Sequence, residues 1–294
     1  MSLMQYIRLV FITLIANFIF LSHFAYSDAI PTSVKPIQAD SVAELEQIFA
    51  QMKYQWPIKA HSKIPLLILE SLPSDISSIS QVKRKKALFI RVLLPIILIE
   101  NRRLRELRQL SRMAIHHTLV YQEDPLNQWL NNIGQGFSLK SNSWRQDPKQ
   151  LFQHLDELPT SLVLAQAIIE SGWGTSRFAR EGNSLFGQWT YKKGDGLTPK
   201  QRDSGKVHQV KAFPSLQASV RSYLQNINRH RAYRELRSTR AKLRAAKQPL
   251  TAHELAHGLS NYSQRGKAYI NELLQIIKST SLHHIDSAVL AEST

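Results

Sequence analysis

The stretch SLVLAQAIIESGWGTSRFAREGNSLFG, Ser161 to Gly187, has the most apolar helical run downstream of residue 150, and a glutamate ends it. On a helical wheel Leu162, Val163, Leu164, Ala165, Ala167, Ile168 and Ile169 cover nearly the whole circumference, so a helix here is buried on most sides. Only Gln166 and Glu170 are polar, and four residues apart they share one stripe. Ser171-Gly172-Trp173-Gly174 then breaks the helix. Desolvation at the mouth of such a helix favours the neutral form of a carboxylate and raises its pKa, which suits a general acid working near neutrality. A glutamate at a helix end that simply reaches solvent is the plainer alternative. Trp173 and the glycines either line a cleft or pack the turn.

Downstream, Ser184 to Phe213 carries Trp189 and Tyr191 at alternating positions, turn signals at Gly194-Asp195-Gly196 and Asp203-Ser204-Gly205, and then VHQVKAF. This pattern predicts a small β-hairpin arm inserted between helices. The next helix starts at Ser215, with Leu216, Val220, Tyr223, Leu224 and Ile227 in period. Further on, HELAH, His253 to His257, has the spacing with which zinc peptidases hold their metal. Yet Ser260 stands where a metzincin has glycine, no third histidine follows at the required spacing, and Glu272 is a poorly spaced substitute. Thr251-Ala-His-Glu254 reads instead as a capping box that opens a helix with Ala252, Leu255, Ala256 and Leu259 on its apolar face. The sequence predicts no metal site and no cofactor.

Upstream, Ser41-Val-Ala-Glu44 is a second capping box, ahead of Val42, Leu45, Ile48, Phe49 and Met52 on one helical face. After a Pro-broken, Ser-rich segment comes VKRKKALFIRVLLPIILIENRRLRELRQL, Val82 to Leu110. Its centre, ALFIRVLLPIILI, is 13 residues long and contains Arg91 and Pro95, too short and too polar for a membrane span, so a buried, Pro-kinked helix is expected. Its basic flanks read as solvated faces rather than a nucleic-acid patch. The expected organisation is an export signal over 1–27, an N-terminal helical region over 28–120, a polar linker over 121–150, a main domain over 151–280 and a flexible tail over 281–294.

The signal reading rests on Arg8, the apolar run LVFITLIANFIFL and the small-residue spacing Ala25-Tyr26-Ser27, with an uncleaved anchor as its rival. No cysteine occurs, which excludes disulfides and thiolate metal sites. With 38 Lys and Arg against 22 Asp and Glu, the formal net charge is +16. A polyanionic partner is therefore favoured, and an export signal points to anionic polymers of the cell envelope and away from nucleic acid. The same charge allows peripheral association with a membrane surface, and the expected location is the periplasm or cell envelope.

The run AQAIIESGWGTSRFAREGNSLFG resembles the signature of the bacterial N-acetylglucosaminidase domains of glycoside hydrolase family 73: a catalytic Glu, then Ser-Gly-Trp-Gly, then Gly-Asn-x-Leu-Phe-Gly. SVRSYLQNINRHRAYREL and LSNYSQRGKAYINELLQII resemble two later helical segments of that family, and RKKALFIRVLLPIILIENRRL resembles a helix that some of its exported members carry upstream. The resemblance implies a mainly α, lysozyme-like α+β glucosaminidase domain with a small β-hairpin arm, preceded by N-terminal helices. It implies an endo-β-N-acetylglucosaminidase that cleaves the β-1,4-linked glycan of peptidoglycan.

On that resemblance Glu170 is the general acid and Tyr262, in Asn-Tyr-Ser-Gln-Arg-Gly, stands across the cleft. Asp203 is the candidate second carboxylate, with Asp195 beside it in the arm. A substrate-assisted route, in which the 2-acetamido group attacks the anomeric carbon, would need none. Gln166, Trp173, Asn183, Phe186 and Trp189 are the candidates for substrate binding. A lytic transglycosylase acting on the same polymer and a noncatalytic envelope-glycan-binding protein are the rival readings.

Overall fold

The computed structural model describes residues 35–121, 124–199 and 208–291. The expected export signal, 1–27, and Asp203 lie outside them. In chain order the elements are α1 (Val42–Gln51), β1 (Lys63–Ile64), α2 (Val82–Tyr121), α3 (Asp124–Gly136), α4 (Ser143–Gln146), α5 (Pro148–His154), α6 (Thr160–Ser171) and α7 (Arg177–Gly182). There follow β2 (Trp189–Thr190), β3 (Gly196–Leu197), β4 (Gln209–Lys211), α8 (Leu216–Arg229), α9 (Arg234–Ala245), α10 (Ala252–Ala256), α11 (Lys267–Ser279) and β5 (Val289–Leu290). The class is the expected one, mainly α with a small β arm. Two compact units are present, Val34–Arg102 with Glu157–Thr294, and one that contains Arg103–Asp156.

The larger unit does not follow the expected division into an N-terminal region and a separate main domain. Residues up to Arg102 belong to the same unit as the motif around Glu170, and buried polar contacts explain why. Glu100, near the end of the apolar part of α2, is fully buried and accepts hydrogen bonds from Arg221 Nη2 at 3.0 Å and Gln217 Nε2 at 2.8 Å, both on α8. Asn101 Nδ2 donates to the Leu158 carbonyl at 2.7 Å just before α6. Removing either side of such a pairing strands a buried polar group, so the upstream helix is bound to the rest of the unit.

Leu88, Phe89, Ile90, Leu93, Leu94, Ile96 and Ile97 are all buried in α2, which continues through Pro95. Arg91, the charge inside this apolar run, lies 4.4 Å over the Phe49 ring and donates to the Tyr54 carbonyl. Among the described residues no helix is long and apolar enough to cross a membrane.

Helix α6 is buried from Thr160 to Ile168 and packs against α11 and the segment Leu282–Ser287. Its N-cap, Pro159, has no side chain to satisfy the first free N–H groups. Asp286 does so from 125 residues away: Oδ1 accepts from Ser161 N at 2.8 Å and Oδ2 from Ser161 Oγ at 2.6 Å. The expected flexible tail is thus folded as far as the described residues reach. Leu282, Ile285 and Ala288 are buried at spacings of three, the period of a 3₁₀ turn. Beyond them β5 pairs in parallel with β1, Val289 opposite Lys63.

The arm after α7 is also more than a hairpin. Its strands form an antiparallel sheet in the order β2-β4-β3, so VHQVKAF supplies the central strand.

In the smaller unit the segment expected to be a polar linker is largely helical. Leu126, Trp129, Leu130 and Ile133 recur at helical spacing within an Asn- and Gln-rich sequence and are buried. Trp144 on α4 is 1% exposed, and its Nε1 donates to Asn131 Oδ1 on α3 at 3.0 Å.

If Asp286 caps α6, Asp286→Ala lowers unfolding stability by about 1 kcal/mol, read as a shift in the urea midpoint, and Asp286→Asn keeps part of the loss from appearing. An unchanged midpoint for Asp286→Ala contradicts this assignment.

Candidate active site

Glu170 occupies the last turn of α6, half-buried. Gly172 ends the helix at φ 58°, Trp173 and Gly174 continue with positive φ, and Ser171 Oγ accepts from Gly174 N at 2.9 Å to hold the turn. The chain then returns through α7 so that Gly187, at φ 61°, passes the carboxylate closely. A Cβ on Gly187 would lie 3.5 Å from Glu170 Oε2, so a larger residue would crowd the acid as well as strain the backbone.

Burial pushes the Glu170 carboxyl above the ordinary carboxylate range, and Glu272 acts in the same direction. The Tyr269 hydroxyl and the Arg265 guanidinium oppose the shift without cancelling it. Its place at a helix C-terminus, where free carbonyls disfavour a negative charge, also works toward the neutral form.

A cluster of tyrosines lies around the acid. Tyr223 hydrogen-bonds Gln166 Oε1, and Gln166 Nε2 donates to Tyr269 Oη at 3.0 Å. Because Tyr269 Oη already accepts from Gln166, its own proton is left for the Glu170 carboxylate. Tyr262 stacks on Tyr269 with centroids 5.6 Å apart and donates its hydroxyl proton to the Phe186 carbonyl at 2.9 Å. Phe186 in turn stacks on Tyr223 at 4.0 Å. Burial raises the phenol pKa of Tyr223, Tyr262 and Tyr269, so all three remain neutral hydrogen-bonding groups.

Glu170, Tyr262, Tyr233, Arg265, Phe186 and Trp189 are among the residues that line a groove of about 750 Å³. Trp189 is 59% exposed and stacks on His208 at 4.4 Å, giving the rim a flat aromatic face. Among the described residues that line this groove, Glu170 is the only acid. Arg265 is engaged with Glu272 at 2.5 Å on α11.

The sequence-derived candidates therefore divide. Glu170, Tyr262, Phe186 and Trp189 come together at the groove. Gln166 is fully buried with its amide committed to two tyrosines, so it positions Tyr269 and does not face the groove. Asn183 is the left-handed C-cap of α7, and its amide donates to Ser71 Oγ and the Phe213 carbonyl, a scaffold role. Trp173 packs edge-on against Phe89, with Lys86 Nζ 4.8 Å over its ring, away from the groove. Asp195 pairs with Lys192 in the arm and does not line the groove. Asp203 is outside the described residues.

HELAH opens α10 as the capping box predicts, with Thr251 Oγ1 accepting from Glu254 N at 3.2 Å and Leu255, Ala256 and Leu259 buried. The following Gly258 lets this segment approach α9 closely, since a Cβ there would lie 2.4 Å from Leu236 N. His253 and His257 are exposed. Among the described residues no group of three or more His, Asp or Glu could hold a metal ion. Tyr233, Tyr269, His208 and Arg265 join the site without being expected there from the sequence. A usable signal existed for Tyr269, which sits seven residues after Tyr262 on the buried stripe of Ile270, Leu273 and Ile277.

Residues 148–282 match the family model described as mannosyl-glycoprotein endo-beta-N-acetylglucosaminidase. Over 212 residues the chain is 37% identical to protein bax of Escherichia coli (strain K12), an alignment that covers 69% of this chain and 72% of that one. Among solved structures, the catalytic domain of the autolysin Auto from Listeria monocytogenes aligns with 49% of this chain and 84% of its own, at 21% identity and a TM-score of 0.35. On the family model and the relative that spans most of both sequences, the chain belongs to the glucosaminidase family, among its Bax-like members.

Proposed function

We propose that this protein is an exported peptidoglycan hydrolase, an endo-β-N-acetylglucosaminidase that cleaves β-1,4 bonds next to N-acetylglucosamine with Glu170 as general acid. The observation that carries the reading is the half-buried Glu170 carboxyl, held toward its neutral form at the wall of an aromatic-rimmed groove. Family membership supports the glycosidase class. The apolar N-terminal run and the net charge of +16 support export to an anionic envelope.

In this mechanism Glu170 gives its proton to the glycosidic oxygen as the bond to the anomeric carbon breaks. Glycosidases of the common type place a second carboxylate about 5–5.5 Å away for retention or about 6.5–9.5 Å away for inversion. The substrate-assisted route needs a single acid and a group to orient the acetamide, and Glu170 and Tyr262 both line the groove. The acetamido carbonyl oxygen bonds to the anomeric carbon as the leaving oxygen departs with the Glu170 proton, closing a five-membered oxazolinium ring; water then bonds to the anomeric carbon, the acetamido oxygen leaves it, and the Glu170 carboxylate takes up the water's proton. Tyr262 has its own proton committed to Phe186, which leaves its oxygen lone pairs to accept the acetamido N–H and orient the nucleophile. Asp203 remains the proposed alternative nucleophile or base. A lytic transglycosylase also works with a single acid, and the product ends separate the two.

Mass spectrometry of digests of purified peptidoglycan tests the reading. Wild type should release fragments with reducing N-acetylglucosamine ends, and Glu170→Gln should lower the rate by roughly 10²–10⁴. Anhydro-muramic ends would favour the transglycosylase, and equal digestion by both proteins would remove Glu170 from the chemistry.

A second expectation concerns pH. Activity requires protonated Glu170 and so falls as pH rises through its raised pKa. Tyr269→Phe deletes a donor that favours the carboxylate, so the alkaline limb of the kcat/KM profile should move to higher pH. A limb that stays in place or moves down contradicts the positioning role of Tyr269.

A further inference from the structure

The segment from Arg229 to Lys247 holds eight Lys and Arg residues against one acid, Glu235, and so carries seven of the chain's sixteen net positive charges in 19 residues. Two of the eight belong to the scaffold. Arg237 Nη1 donates to the Ile227 and His230 carbonyls and so satisfies the end of α8. Arg240, fully buried, donates to the Glu157 carbonyl and Asn228 Oδ1. Arg244 pairs with Glu157 at 2.8 Å. Arg231, Arg234, Lys242 and Lys247, in contrast, are exposed and have no acidic partner among the described residues.

Their placement is ordered. Arg234, Ser238 and Lys242 follow one another at i, i+4 and i+8 along α9, Arg231 precedes them and Lys247 lies just past the helix end. The 12-residue helix makes this stripe about 18 Å long. Helix stability does not account for its start, because cations at a helix N-terminus oppose the macrodipole and Glu235 is the only acid in that turn. The stripe also begins next to the groove in sequence: Tyr233, between the exposed Arg231 and Arg234, is one of the groove-lining residues.

We infer that the exposed face of α9 is a docking rail for the carboxylate-bearing peptide side chains of the polymer whose glycan strand occupies the groove. This deepens the peptidoglycan reading above and rests on it. A glycan held at Glu170 carries its peptide substituents outward past Tyr233, where guanidinium and ammonium groups meet their carboxylates. The rail thus selects peptide-bearing glycan over bare glycan and orients the strand along the groove.

The test is co-sedimentation of the whole protein with insoluble peptidoglycan, either intact or stripped of its peptides by an amidase, with phosphatidylglycerol vesicles as a third target. Wild type and the triple variant Arg231→Gln/Arg234→Gln/Lys242→Gln are compared at equal thermal midpoints. Wild type should prefer intact peptidoglycan. The variant should bind intact peptidoglycan roughly tenfold more weakly than wild type, as expected for three surface charges. Amide hydrolysis leaves a single carboxylate on each stripped sugar, so on stripped glycan the difference between the two proteins should shrink to a small fraction of that on intact peptidoglycan. Raising the ionic strength from about 0.01 M to about 0.15 M, which shortens the Debye length from about 30 Å to about 8 Å, should erase most of the difference.

Equal binding of both proteins to intact peptidoglycan overturns the rail, as does equal binding of wild type to intact and stripped glycan. Vesicle binding as tight as binding to intact peptidoglycan, lost in the variant, assigns the face to a membrane and overturns it as well. Charge-dependent preference for intact peptidoglycan by a protein that cleaves nothing would support the rail while the hydrolase reading fails.

Discussion

A helix buried on every side can accept a charge only at its ends, and α6 has an acid at both. At the N-terminus, Asp286 meets Ser161 from outside the helix and satisfies donors that Pro159 cannot. At the C-terminus, Glu170 is part of the helix itself and is held where burial and the helix carbonyls both disfavour its ionised form. The first arrangement stabilises the fold and the second taxes it. The surrounding structure is what keeps the second in place: α2 and α8 joined through Glu100 and Arg221, α11 packed along α6, and the Gly187 backbone laid against the carboxylate.

Between the acid and the core lies a set of neutral hydrogen bonds. Gln166 shares one helical stripe with Glu170, and from the sequence both were candidates for contact with substrate. The structure separates them by depth. Gln166 is wholly inside, where an amide must satisfy both its donor and its acceptor, and Tyr269 and Tyr223 are the groups that do so. This fixes the direction of the tyrosine hydroxyls and thereby the polarity that Glu170 meets. HELAH, which by spacing alone would be the most provocative motif in the chain, is part of the support: its capped helix and Gly258 let α10 and α9 pack together.

The helices that follow period or capping rules were legible. The wheel of α6, the capping boxes at Ser41 and Thr251, and the apolar stripe of α8 all predicted what forms. Glu170 and Tyr262 were recognised through family resemblance, since a glutamate at a helix end has no local mark that tells an acid from a solvated charge. The helices of residues 124–154 were hidden because their apolar positions are diluted by Asn and Gln: Gln128, Asn132 and Gln135 are exposed, while Asn131 accepts from the buried Trp144, a partner that only the tertiary fold supplies. The segment after Ser281 was hidden because its period is three, and because its purpose lies at Ser161, a contact between residues more than a hundred positions apart. Tyr233 and Arg265 reach the groove by tertiary placement alone.

Burial at the end of α6 favours the protonated form of Glu170 at a pH where an ordinary carboxylate is ionised. Carboxyl ¹³C NMR of protein labelled at glutamate, with the Glu170 signal assigned by its loss in Glu170→Gln, measures that directly. A titration midpoint clearly above the unperturbed glutamate value of about 4.3 is expected, moving higher still in Tyr269→Phe. A midpoint at or below that value would contradict it, because burial at the end of α6 would then not be setting the proton on the acid.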